Sequence, residues 1–174
     1  MEWRVMVVAA IVYMGLGLCL LAAITDVSSL TIPNWLNLSL AGLGLMAVLI
    51  ASFGTWTPLT HLGLALACLV VGFGLFSAGI IGGGDAKMIP AVAIWIGPAA
   101  FLPFLAWMAV AGGALAVVLL VARIGLDPQR IPAAVRRPFI AGEGVPYAVA
   151  IAAGAVMAAP RVDWIEAALL QTSL

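Results

Sequence analysis

Asp26 and Asp85 are the residues of this chain best placed, by type and spacing, to do chemistry. Between them, from Val27 to Gly84, stands no Asp, Glu, Lys or Arg, and Asp85 closes the run Gly82-Gly83-Gly84-Asp85. A carboxylate at the end of an apolar segment is costly and is usually held there for function. Two carboxylates about 3 Å apart cannot both ionise, so a facing pair shares a proton and titrates as a unit. Its ionised member can take a proton from a water that attacks a carbonyl, and its neutral member can donate to the developing oxyanion. That chemistry asks for no nucleophilic side chain, no metal and no cofactor.

The glycines before Asp85 fit the same scheme. Three in a row disfavour a stable helix end and let backbone approach backbone, so Gly82–Gly84 reads as a flexible strand able to pair with an extended peptide. A hinge or helix-packing site is the plainer reading. A phosphate cradle is the weaker reading, because no Gly-Lys-Ser/Thr follows and no strand precedes the run. Lys87, two residues beyond Asp85, can be a salt-bridge partner, a lipid-headgroup anchor or a tuning charge.

Other candidates have bland readings. Cys19 and Cys68 form no CxxC, fall at different depths and read as core residues, so neither a disulfide nor a zinc site is expected. His61 falls at the face opposite the aspartates, and Ser28 and Ser29 have no His or Lys partner nearby. Arg123 and Asp127, four apart, can pair on a helix. Glu143 suits the positive end of the helix that follows it.

The elements that must position these residues are membrane helices. Hydrophobic residues make up 66% of the chain and charged residues 8%, and mean hydropathy is +1.26. Soluble domains carry roughly 25% charged residues, so the expected fold is an all-α membrane protein, one domain over 1–174. Seven acids balance seven bases, which leaves no basic patch for nucleic acid. Arg4 and the apolar stretch after it resemble a signal peptide, but Val5–Ile24 is longer than a typical h-region of about 7–15 residues and reads as a retained first helix.

The breaks define a bundle of six transmembrane helices, about 5–25, 35–53, 59–81, 86–97, 99–122 and 145–159, with short connectors and one polar loop. Pro33 ends the first connector, and Asn34 can cap the next helix. Met88–Ala122 as one helix would be about 52 Å long, well beyond a ~30 Å hydrocarbon core, so Gly97-Pro98 is its natural break. The tail after Pro160 reads as an interfacial amphipathic piece, and most tryptophans as interface anchors or packing. Lys87, Arg123, Arg130, Arg136 and Arg137 share the side of both aspartates, against Arg4 and Arg161 on the other. The positive-inside rule makes that side, with the 123–144 loop, cytoplasmic.

Gly82-Gly83-Gly84-Asp85-Ala86-Lys87 resembles the GxGD motif of membrane aspartyl proteases, in the form with a following lysine that prepilin peptidases show. Asp26 with Ile32-Pro33-Asn34 is similar to that family's first aspartate and its IPN signature, and Val145-Pro146-Tyr147 to its last span. The resemblance covers most of the chain and fits best the small prepilin peptidases of tight-adherence (Flp) pili. It implies that Asp26 and Asp85 are the catalytic dyad and that Gly82, Gly83, Gly84, Lys87, Pro33 and Asn34 bind substrate or shape the site. It further implies that a type IV prepilin leader is cut at the cytoplasmic face of the bacterial inner membrane, after a glycine and before the pilin's apolar helix. The substrate and the lipid bilayer are the expected partners. The zinc-binding cysteines of larger, methylating relatives are missing, so N-methylation is not expected. The connector Val27–Thr31 lacks the basic residues usual in relatives, so leader contacts differ from theirs or depend on the arginines of 123–137. The rival readings are a small proton-coupled transporter or channel, with the aspartates as a proton relay, and a non-catalytic assembly subunit.

Overall fold

The computed structural model describes residues 2–171; Met1 and residues 172–174 of the expected 1–174 domain lie outside the described residues. The order is α1 (Glu2–Ser29), α2 (Asn34–Ala51), α3 (Thr57–Ser77), α4 (Asp85–Gly125), α5 (Ala148–Ala158) and α6 (Asp163–Gln171), with no strand among the described residues. Four helices (α1 to α4) are long and apolar enough to cross a membrane, and α5 with α6 makes a fifth candidate bent by 85°. This is an all-α membrane protein.

α1 runs past its expected end at Thr25. The hydroxyl of Thr25 donates to the Ala22 carbonyl, and those of Ser28 and Ser29 donate to Thr25. Folding back on the helix in this way satisfies polar groups where water is scarce. The helix therefore continues as far as Ser29 and holds Asp26 inside its last turn, where a connector was expected. Leu30 ends it at a φ of 52°, a left-handed conformation that costs a non-glycine residue about 1–2 kcal/mol. Asn34 does not cap α2. Pro33 takes the cap position without a side-chain bond, and the Asn34 amide oxygen instead accepts from Lys87 Nζ at 2.8 Å.

Two further boundaries differ from expectation. α3 stops at Ser77, before the triple glycine, because Gly79 at φ 72° closes it. Gly79 N–H donates to Phe76 and Ile80 N–H to Leu75, the paired bonds that seal a helix end. Gly82–Gly84 is not a free strand either. Ala86 N–H donates to the Gly82 carbonyl and Met88 N–H to that of Gly84, so the run already forms the first turn of α4. Its glycines are needed for space. A Cβ on Gly83 would stand 3.1 Å from the Phe76 ring, and one on Gly84 3.1 Å from Ile32.

α4 breaks at Gly97 as expected, at φ 65° and ψ 174°. Its first arm, 85–96, is about 18 Å long, and its second, 98–125, about 42 Å. Pro98 has no N–H, so the carbonyl of Ile94 loses its helical donor. The buried His61 replaces it, with Nδ1 2.7 Å from that oxygen. The histidine therefore carries its proton on Nδ1 and serves the bend.

Small residues set the packing, as where lipid gives no hydrophobic drive between helices. Trp95 lies against Gly15 of α1 and Gly44 of α2, donates from its indole to the Leu40 carbonyl at 2.9 Å, and stacks on Trp164 of α6. Gly72 of α3 meets Ala86, Gly112 meets Tyr147, and Gly154 meets Met108. In α6, Val162, its cap, and Ile165 and Ala168 are buried in the bundle. The polar loop is tied down by arginines. Arg123 does not pair with Asp127; it donates to the carbonyls of Pro138, Glu143 and Gly144, and Asp127 lies 3.8 Å from Arg130.

Replacing His61 with leucine strands the Ile94 carbonyl, at a cost of about 1–3 kcal/mol. Asparagine, whose amide can donate, recovers part of it. Thermal unfolding in detergent should rank wild type above His61→Asn and His61→Asn above His61→Leu; equal melting of wild type and His61→Leu would refute this role.

Candidate active site

Asp26 is buried one turn before the end of α1, at 6% exposure. Its Oδ2 accepts from the backbone N–H of Ala148 at 2.9 Å. Ala148 is the first residue of α5, so the carboxylate sits at a helix N-terminus, where free N–H groups and the helix dipole favour negative charge. The expected carboxylate for this position was Glu143. That residue instead lies in the loop, where its carbonyl accepts from Arg123.

Asp85 is half-buried in the first turn of α4, and its carboxylate bends back to accept from the Gly82 N–H. The bond spans the turn that leads into the helix, from a backbone group three residues before the carboxylate. A Cβ on Gly82 would stand 3.0 Å from Asp85 Oδ2. That glycine is thus fixed by its contact with the carboxylate. Both aspartates are held the same way, each by a backbone N–H at the start of a helix.

The two carboxylates share one cavity of about 1220 Å³ and lie close enough for the charge of Asp26 to act on Asp85. Around them stand Leu30, Ile32, the glycines 82–84 and Tyr147. Of the expected site residues, Asp26, Asp85, Gly82, Gly83 and Gly84 come together on this cavity. Pro33, Asn34 and Lys87 do not line it. Asn34 and Lys87 form a bond outside it that ties the start of α2 to the start of α4.

Three contributions were not read from the sequence. Ala148 acts through its backbone, which leaves no mark on residue type. Tyr147 was noted only within the Val145-Pro146-Tyr147 run. Asn37 is buried, and its amide donates to the Gly84 carbonyl at 3.4 Å, while its Oδ1 has no partner among the described residues. A signal for it existed, since Asn34 and Asn37 are polar and three apart in a helix whose one other polar residue is Ser39. The arginines proposed to meet a leader are largely engaged with backbone: Arg137 donates to the Ser29 carbonyl at 2.8 Å, and Arg136 to that of Ile131.

The fold and site define a class, a helical membrane bundle that presents two carboxylates from helix ends into one cavity. The model of the type IV leader peptidase family matches residues 11–117, and the chain belongs to that family. It is a type IV leader peptidase-like protease held in a membrane. The match takes in both aspartates, the Ile32-Pro33-Asn34 connector and the glycine run, and ends before α5. Neither the curated proteins nor the solved structures gave a match.

The Asp26–Ala148 bond gives Asp26 a structural role. Asp26→Asn keeps an oxygen for the Ala148 N–H, whereas Asp26→Ala leaves that buried donor unsatisfied, at about 1–3 kcal/mol. Asp26→Ala should melt measurably below Asp26→Asn in detergent. Identical melting of the two would show that the bond contributes nothing to stability.

Proposed function

We propose that this protein is the endopeptidase that removes the leader of a type IV prepilin of the tight-adherence (Flp) kind. The bond is cut at the cytoplasmic face of a bacterial inner membrane. The observation that carries this reading is the opening of Asp26 and Asp85 onto one cavity, each on a backbone donor. Arg123 and Arg137, bonded to the loop and to the end of α1 respectively, stand at the same end as the aspartates. By the positive-inside rule that end is cytoplasmic.

The mechanism uses these two side chains and a water. The ionised carboxylate takes one proton from the water as its oxygen bonds to the scissile carbonyl carbon. The protonated carboxyl donates a hydrogen bond to the oxygen that gains charge. Collapse of the tetrahedral intermediate breaks the C–N bond, and the proton taken from the water passes to the leaving amine. The pair ends with the single shared proton it began with. Gly82–Gly84 adds unhindered backbone beside Asp85, which suits a peptide unwound at the cut.

Co-expression with a prepilin, followed by N-terminal sequencing and mass analysis, tests this. Wild type should give a product cut after a glycine, without N-methylation. Asp26→Asn and Asp85→Asn should each lower processing by about 10²-fold or more while accumulating in the membrane at normal levels. Full processing by either variant would refute the dyad. Proton-coupled solute flux in liposomes without prepilin cleavage would favour the transporter reading.

A further inference from the structure

The cavity is not confined to the aspartates. It continues as an apolar groove between α3 and the second arm of α4. On α3 the lining residues are Leu64, Ala67, Cys68, Val71, Gly72 and Leu75, at alternating steps of three and one. On α4 they are Phe101, Leu105 and Met108, at steps of four and three. Such steps put each set on one helix face and match the spacing by which helices receive the side chains of another helix. One edge of this α3 face also packs on the first arm of α4: Gly72 meets Ala86, and Leu64 and Cys68 lie against the cluster of Ala65, Ala93 and Ile94. The rest of the face, with Val71 and Leu75 exposed to the cavity, is left for something else. Ile89 lies along the groove floor, one turn below Asp85 on the same face of α4.

We infer that this groove is the docking site for the substrate's own apolar helix, the segment that follows the cleaved bond. The inference rests on the proposed peptidase function. Continuity selects the occupant: one cavity holds both the groove and the two carboxylates, so whatever fills the groove has one end at the reacting atoms. For an enzyme that cuts just ahead of an apolar helix, that occupant is the helix. From Leu64 to Leu75 the wall spans about 16 Å, or three helical turns. The volume exceeds the 300–1,000 Å³ common for small-molecule pockets. The first three turns of the substrate would lie between α3 and α4, with the peptide unwound only beside Gly82–Gly84. The groove thereby fixes which bond reaches the aspartates.

Native Cys68 lies in the groove wall, whereas Cys19 is buried in the core, and this permits a direct test. The probe is a polar leader ending in glycine followed by an apolar helix of about 20 residues. It carries single cysteines at successive positions after the glycine and is co-expressed with the full-length Asp85→Asn variant. Oxidation should give disulfide adducts at one position or at two positions a helical turn apart, at the depth of Cys68, and Cys68→Ser should abolish them. Adducts at no position, or equally at all positions, would overturn the inference. In the active enzyme, Cys68→Trp should lower processing at least tenfold. Val70→Trp, on an exposed position of α3 outside the groove, should not. Full processing by Cys68→Trp would assign the groove to lipid and overturn the inference. Missing adducts, with Asp26→Asn and Asp85→Asn still inactive, remove the groove alone. Activity in those two variants removes the peptidase reading itself.

Discussion

A carboxylate in an apolar medium needs donors, and here the donors are backbone. Asp26 meets the N–H that opens α5, and Asp85 meets the N–H of Gly82, where the hydrogen bonds of α4 begin. Helix N-termini supply unpaired N–H groups and a favourable dipole together. They can hold negative charge without a cation, and no Lys or Arg side chain bonds either aspartate among the described residues. Much of the architecture follows from this. α1 must stay helical to Ser29 to carry Asp26 to the start of α5. The first arm of α4 and α5 each begin beside a carboxylate.

Short helices must then be braced. The first arm of α4 ends at a glycine in left-handed geometry and a proline that removes a donor, and His61 restores the lost bond from α3. Trp95 near the same end reaches α1, α2 and α6 through two glycine contacts, a hydrogen bond and a ring stack. Lys87 with Asn34 ties the other end to α2. The arm that bears Asp85 is held at both ends by polar bonds that do not touch the cavity.

Much of this could be read from the chain. The charge-free stretch between the aspartates, the break at Gly97-Pro98 and the membrane class follow from composition and from what glycine and proline do to a helix. What escaped the sequence reading has a common physical cause. The extension of α1 depends on hydroxyls that can either leave a helix or fold back onto it, and in the absence of water folding back prevails. The glycine run looked like flexible strand because glycine permits it, but its neighbours Phe76 and Ile32 require bare backbone in a helical turn. His61 looked idle because its partner is a carbonyl 33 positions away, orphaned by Pro98. The bond to Ala148 was illegible in principle, since any residue but proline supplies it.

That last contact bears on how such a protein can change. Since α5 contributes a main-chain group to Asp26, the demand on this part of the chain is geometric: a helix must start at one point in space. The loop that leads there is anchored by Arg123 to three carbonyls, again main chain. Loop length and loop composition can therefore vary while the carboxylate keeps its donor, whereas α5 itself is held by its small buried residues Ala148, Ala150, Gly154 and Ala158. On the loop the constraint is the path alone; on the helix it is the starting point together with the packing.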